Sequence, residues 1–112
     1  MDASCNKTYD KDNKAINTPN YPRWYPEPNN CTWNITVPIG FEISVEPFSY
    51  ALNNLSSLKI YDGSSNQSRK VANLRGENAF SGTTSTFSNL FVEFESFWGD
   101  NRFQTKLSLV GT

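Results

Sequence analysis

At 112 residues the chain has the length of one domain, enough to bury about two-thirds of the surface its unfolded form exposes. Ten Lys and Arg against eleven Asp and Glu leave a net charge of −1, with no basic run dense enough to follow a phosphate backbone, which argues against a nucleic-acid partner. No apolar run approaches the roughly 18 residues of a membrane helix, so no membrane insertion is expected.

In chain order, Met1-Asp2-Ala3-Ser4-Cys5 lacks the charged-then-apolar pattern of a signal peptide. The expectation is a processed or excised piece of a larger secreted or cell-surface protein, forming a single domain over residues 1–112. Residues 17–33 then crowd Pro19, Pro22, Pro26 and Pro28 among Tyr21, Trp24, Tyr25 and Trp33. Proline fixes its own φ and biases the preceding residue toward extended backbone, so Thr18, Tyr21, Tyr25 and Glu27 are expected in an extended arm. Such an arm is either an internal device of the fold or a proline-rich ligand for another groove.

From Trp33 on, the apolar period is two. Trp33, Ile35 and Val37 alternate with Asn34 and Thr36, and Phe41, Ile43 and Val45 alternate with Glu42, Ser44 and Glu46. Leu58 and Ile60 oppose Lys59 and Tyr61; Leu90, Val92 and Phe94 oppose Glu93 and Glu95; Phe103, Leu107 and Leu109 oppose Gln104, Lys106 and Ser108. Breaks are expected at 38–40, 62–66, 75–78 and 99–101, where Gly, Pro, Asn and Asp cluster. No window of helical length repeats at three or four. Short strands at this spacing predict an all-β sandwich or barrel.

Five Asn-x-Ser/Thr sequons, at Asn6, Asn30, Asn34, Asn54 and Asn66, point to the secretory pathway and an extracellular location, although Asn-rich and Ser/Thr-rich loops generate such triplets by chance. Asn6, Asn34, Asn54 and Asn66 are the candidate glycosylation sites; at Asn30, occupancy would compete with bridging of the adjacent Cys31. Asn34 falls on the polar face of its strand. Cys5 and Cys31 are the two cysteines, and with no histidine in the chain they cannot complete a zinc site built of Cys and His alone. A Cys5–Cys31 disulfide is the reading preferred over two unrelated buried thiols. It would stabilise by roughly 3–4 kcal/mol in the chain-entropy model.

No catalytic constellation is found. A Ser-His dyad needs a histidine, and a thiolate nucleophile needs a free cysteine. Glu93 and Glu95 lie on one face of one strand, whereas a glycosidase pair must flank the scissile bond from opposite sides. Asp62-Gly63 reads as a turn.

The order Cys5, then Asn17-Thr18-Pro19-Asn20-Tyr21-Pro22 with Tyr25-Pro26, then Cys31-Thr32-Trp33 with Pro38 and Gly40, then Leu58-Lys59-Ile60-Tyr61-Asp62-Gly63, resembles the CUB domain family. Asn89-Leu90-Phe91-Val92-Glu93-Phe94-Glu95-Ser96 and Arg102-Phe103-Gln104-Thr105-Lys106-Leu107 fall where that family has its last strands. The resemblance implies a two-sheet antiparallel, jelly-roll-like β-sandwich. It also implies an extracellular module that recognises proteins or carbohydrates and is not an enzyme. Two departures stand out. The second disulfide common in the family has no cysteines here. The positions where many members hold calcium are Asn53, Ser56, Phe97 and Tyr25, and of these only the tyrosine keeps the family's residue. Asn53 and Ser56 supply neutral oxygens, so no metal and no cofactor are expected, with Asp100 the one carboxylate near enough to rebuild a weak site.

Two function classes follow. One is protein–protein interaction through the inter-strand loops, with Phe97, Trp98, Asp100, Arg102 and Trp24 as candidate contacts, since aromatic residues flanked by charge compose interface hot spots. The competing structural reading has Phe97 and Trp98 fill the vacated cation site and Trp24 shelter aliphatic neighbours. The other class is carbohydrate binding, with sugar rings stacked on Trp24, Tyr25 or Trp98. The single-disulfide form also resembles CUB domains found beside lectin domains in secreted proteins. The partner is therefore an extracellular protein or a glycan.

Overall fold

The computed structural model describes residues 7–9, 15–17, 29–53, 55–97 and 101–111. Within them the chain is all strand and turn: β1 (Lys7–Tyr9), β2 (Ala15–Asn17), β3 (Asn29–Thr36), β4 (Phe41–Val45), β5 (Phe48–Ala51), β6 (Ser57–Asp62), β7 (Arg69–Leu74), β8 (Glu77–Phe80), β9 (Thr83–Thr84), β10 (Asn89–Ser96) and β11 (Arg102–Gly111). One sheet runs β1-β3-β10-β6-β7; the other runs β8-β5-β11-β4-β9, with β2 also paired to β11. Neighbours are antiparallel except β1, which lies parallel to β3. The two layers form a β-sandwich, which settles between the sandwich and barrel that the alternation left open.

The alternation closes on one core. β10 buries every second residue, Leu90, Val92, Phe94 and Ser96, beside Cys31, Trp33 and Ile35 of β3 and Leu58 and Ile60 of β6. The second sheet meets them with Ile43, Val45, Phe48, Tyr50, Phe103 and Leu107. At the centre Phe103 meets Phe94 edge-on at 5.3 Å and Trp33 at 6.0 Å, geometry that adds to the area these rings bury. Each fully buried side chain of this size contributes about 1.5–3 kcal/mol by transfer. Thr105 continues the inward row of β11, and its hydroxyl donates to the Glu46 carbonyl at 3.1 Å, which satisfies the one polar group in that row.

Three sequence expectations need adjustment. The expected break at 75–78 shortens to Arg75-Gly76, because Glu77–Phe80 forms an edge strand on β5. Gly76 takes φ +71° there, and its carbonyl accepts from the Leu52 amide at 2.9 Å. The strand containing Trp33 begins at Asn29, so Asn34 is its sixth residue, still exposed on the outer face. β5, β7 and β8 are strands that the alternation did not mark. The proline-rich arm with Tyr21, Trp24 and Tyr25, together with Cys5, Asn6, Asn54, Trp98 and Asp100, lies outside the described residues. Cys31 itself is fully buried.

Candidate functional site

Two loops converge at one end of the sandwich. The β5–β6 loop leaves the second sheet after Ala51 and enters the first at Ser57; the β10–β11 loop makes the return crossing from Ser96 to Arg102. Asn53 and Asn101 tie them together. The Asn53 amide N–H donates to Asn101 Oδ1 at 3.1 Å, and Asn53 Nδ2 donates to the Phe97 carbonyl at 3.0 Å. Asn53 Oδ1 accepts from the backbone of Leu55 at 2.9 Å and Ser56 at 3.1 Å, an Asx turn that folds the first loop on itself. Ser56 Oγ accepts from the Phe97 amide at 3.0 Å, and Asn101 Nδ2 adds a longer contact of 3.4 Å to the Phe97 carbonyl. Ser56 and Asn101 are both fully buried. Among the described residues, every buried side-chain polar atom has a partner.

The chemistry of this donor set does not suit a hard divalent cation. Such an ion needs six to eight oxygens with enough negative charge to offset its dehydration. Here the oxygens of Asn53, Ser56 and Asn101 are neutral and already accept hydrogen bonds from the backbone. Among the described residues, no cluster of three His, Cys, Asp or Glu side chains exists that would hold a metal ion.

The knot leaves apolar side chains exposed. The Phe97 backbone is pinned at both its N–H and its C=O, while the residue remains 41% exposed; Leu55, on the facing loop, is 67% exposed. Arg102 follows at the start of β11 and lines a shallow groove of about 390 Å³ with Ser49, Tyr50, Ala51, Glu77 and Asn78. Of the sequence candidates, Phe97 and Arg102 both lie at this end, Phe97 in the knot and Arg102 on the groove, whereas Trp98, Asp100 and Trp24 lie outside the described residues. Leu55 was missed, and Asn101 lay inside the expected 99–101 break without a role of its own. Leu55 carried a signal, an apolar residue alone between Asn54 and Ser56; Asn101 carried none beyond its place before a strand.

The opposite end closes differently. Asp62, at the end of β6, accepts from the Thr86 amide at 2.9 Å and from the Thr86 hydroxyl, clipping the β9–β10 loop to the first sheet. Arg69 approaches the same carboxylate at 3.4 Å. Burial works against the charged form of Asp62, but the Thr86 hydrogen bonds and the Arg69 guanidinium outweigh it and hold the carboxyl below its usual range. Around this end Ile39, Phe41 and Phe87 are exposed and border an open groove of about 270 Å³. Between the ends, on the outer face of the first sheet, Tyr61 meets Phe91 at 6.1 Å and its hydroxyl donates to Glu93 at 3.5 Å. Burial, the Glu93 charge and that hydrogen bond push the Tyr61 hydroxyl up. Glu93 and Glu95 share this open face with Lys59, which pairs opposite Glu93.

The family comparison fits this architecture. The sequence pattern of the CUB domain matches residues 5–106. The chain belongs to the CUB family. Human Tolloid-like protein 1 is 32% identical over 100 residues, which is 85% of this chain and 10% of that protein. The CUB domain here thus spans about a tenth of the length of that relative. Among solved structures, the full extracellular region of zebrafish Gpr126/Adgrg6 superposes with a TM-score of 0.80 at 24% identity, covering 98% of this chain and 15% of that one. The MASP-1 CUB2 domain bound to Ca2+ superposes with a TM-score of 0.79 at 19% identity, covering 94% and 99%. CUB domains are in general extracellular, non-catalytic protein-interaction modules.

Proposed function

We propose that this CUB domain is the recognition module of a larger secreted or cell-surface protein, and that it binds an extracellular protein through the end bearing Leu55, Phe97 and Arg102, without a divalent cation. The observation that carries the reading is Phe97. Its backbone is held at both polar groups by Asn53, Ser56 and Asn101 while the residue keeps 41% of its surface in solvent. An aromatic anchor whose own backbone is already held loses little conformational entropy on binding, and Arg102, at the same end, supplies the charge typical of hot-spot clusters. Trp98 and Asp100, in the same loop by sequence, belong to the proposed surface. Neutral oxygens that are already engaged support the cation-free reading.

A Cys5–Cys31 bridge belongs to the same proposal. β1 pairs in parallel with β3 in the register Lys7↔Trp33, and the two cysteines stand two residues upstream of that pair. The N-terminal segment would thereby be fixed to the buried Cys31.

The test is a binding screen of the secreted domain against a library of extracellular proteins, run in parallel on a glycan array. The expected result is a protein partner whose affinity survives chelator and falls at least tenfold in Phe97→Ala. Binding abolished by chelator, binding unaltered by Phe97→Ala, or several related sugars as the sole hits would overturn it.

A further inference from the structure

The outer face of the first sheet carries a row that the proposed interface does not use. Asn34 on β3 pairs directly opposite Phe91 on β10, and Phe91 pairs directly opposite Tyr61 on β6. Residues opposed in this way share a face, with Cβ atoms about 4.5–5.5 Å apart. Phe91 is half-buried: its ring lies 6.1 Å from that of Tyr61 on the β6 side, and its directly opposed neighbour on the β3 side is Asn34. Asn34 is exposed and begins the sequon Asn34-Ile35-Thr36. The other described sequons lack this setting. Asn66 sits in the exposed turn after β6, and Asn30 precedes the buried Cys31.

From this juxtaposition we propose that Asn34 carries an N-linked glycan and that its first N-acetylglucosamine lies on the ring of Phe91. The donor is a lipid-linked oligosaccharide. Asn34 Nδ2 attacks C1 of its first sugar, the C1–O bond to the lipid diphosphate breaks, a C1–N bond forms, the amide gives up one proton and the diphosphate leaves. The sugar's C–H face would then remove from water part of this half-exposed aromatic ring, extending the Asn34–Phe91–Tyr61 row by one ring. With the glycan seated there, this sheet face is closed to a protein partner and recognition is confined to the ends of the sandwich.

The experiment expresses the domain in a mammalian secretory line with Asn6, Asn30, Asn54 and Asn66 each changed to Gln. Mass spectrometry reads occupancy at Asn34, and melts compare the glycosylated form, the form trimmed enzymatically to one N-acetylglucosamine, and Asn34→Gln, each with Phe91 and with Phe91→Leu. Expected are an occupied Asn34, a rise in Tm of about 2–5 °C that survives trimming to one sugar, and loss of most of that rise in Phe91→Leu. An unmodified Asn34, or an equal rise with and without the aromatic ring, overturns the proposal. Should Phe91→Leu fail to fold, NMR of the trimmed domain decides: upfield ring-current shifts of the sugar protons are expected, and ordinary shifts overturn it.

Discussion

At one end of the sandwich Asn53, Ser56 and Asn101 stitch two loops together with neutral amides and a hydroxyl; at the other, a single carboxylate, Asp62, holds its loop through Thr86. Both devices link strands far apart in sequence, and both leave apolar side chains exposed around them. Their chemistry differs in what can undo it. The amide knot has no titrating group among its described members, so acid leaves it intact, whereas the Asp62 clip depends on a charge.

The largest effect is expected at the neutral end. Asn101→Ala removes the acceptor of the Asn53 amide at a fully buried position and should cost about 2–3 kcal/mol in urea unfolding, equally at pH 7 and pH 4. A loss confined to low pH would show that a titrating group had been missed there.

Asp62→Asn should cost less, about 1–2 kcal/mol at pH 7, because Asn keeps an acceptor for Thr86 but loses the charge. The sign follows from the lowered carboxyl. Its contribution is present above the unfolded carboxylate value of about 4 and is lost as pH falls through the folded value. Unfolding curves taken from pH 7 to pH 2 should therefore be flatter for the variant than for the parent.

Tyr61→Phe should change stability at neutral pH by only about 0.5 kcal/mol, since the 3.5 Å hydrogen bond to Glu93 is long. A raised hydroxyl stabilises the fold below the unfolded value of about 10 and loses that contribution as pH rises through the folded value. The parent should thus lose stability above pH 10 more steeply than the variant. Smallest of all, Phe97→Ala should leave the melt within about 0.5 kcal/mol, because the knot grips its backbone and the residue is 41% exposed, while partner binding falls.

The two ends were not equally legible in the sequence. The strands that cross the middle, β3, β4, β6, β10 and β11, bury alternate residues against a facing sheet, and so their period of two is strong. The edge strands β7 and β8 pair on one side only, and their exposed residues outnumber their inward ones, so alternation marks them weakly. β5, with Phe48 and Tyr50 inward, is only four residues long. The expected break at 62–66 starts one residue later, because Asp62 ends β6 paired with Arg69, and the sequence did not show that its carboxylate reaches Thr86, 24 positions away. At the other end, Asn53, Ser56 and Phe97 were singled out by resemblance as positions of a missing ion. The link between the two loops runs through Asn101, a single polar residue whose burial depends on how the loops converge, and no local pattern encodes that.

The most direct test of the central claim, that neutral side chains rather than a cation hold the Asn53–Phe97 end, is a thermal melt of the purified domain in excess calcium and in chelator. A ligand at a hundred times its Kd adds about 2.7 kcal/mol, several degrees for a domain of this size. Superimposable melts are predicted. A shift of several degrees with calcium would contradict the account and mean that Asp100 and the neutral oxygens assemble a working site.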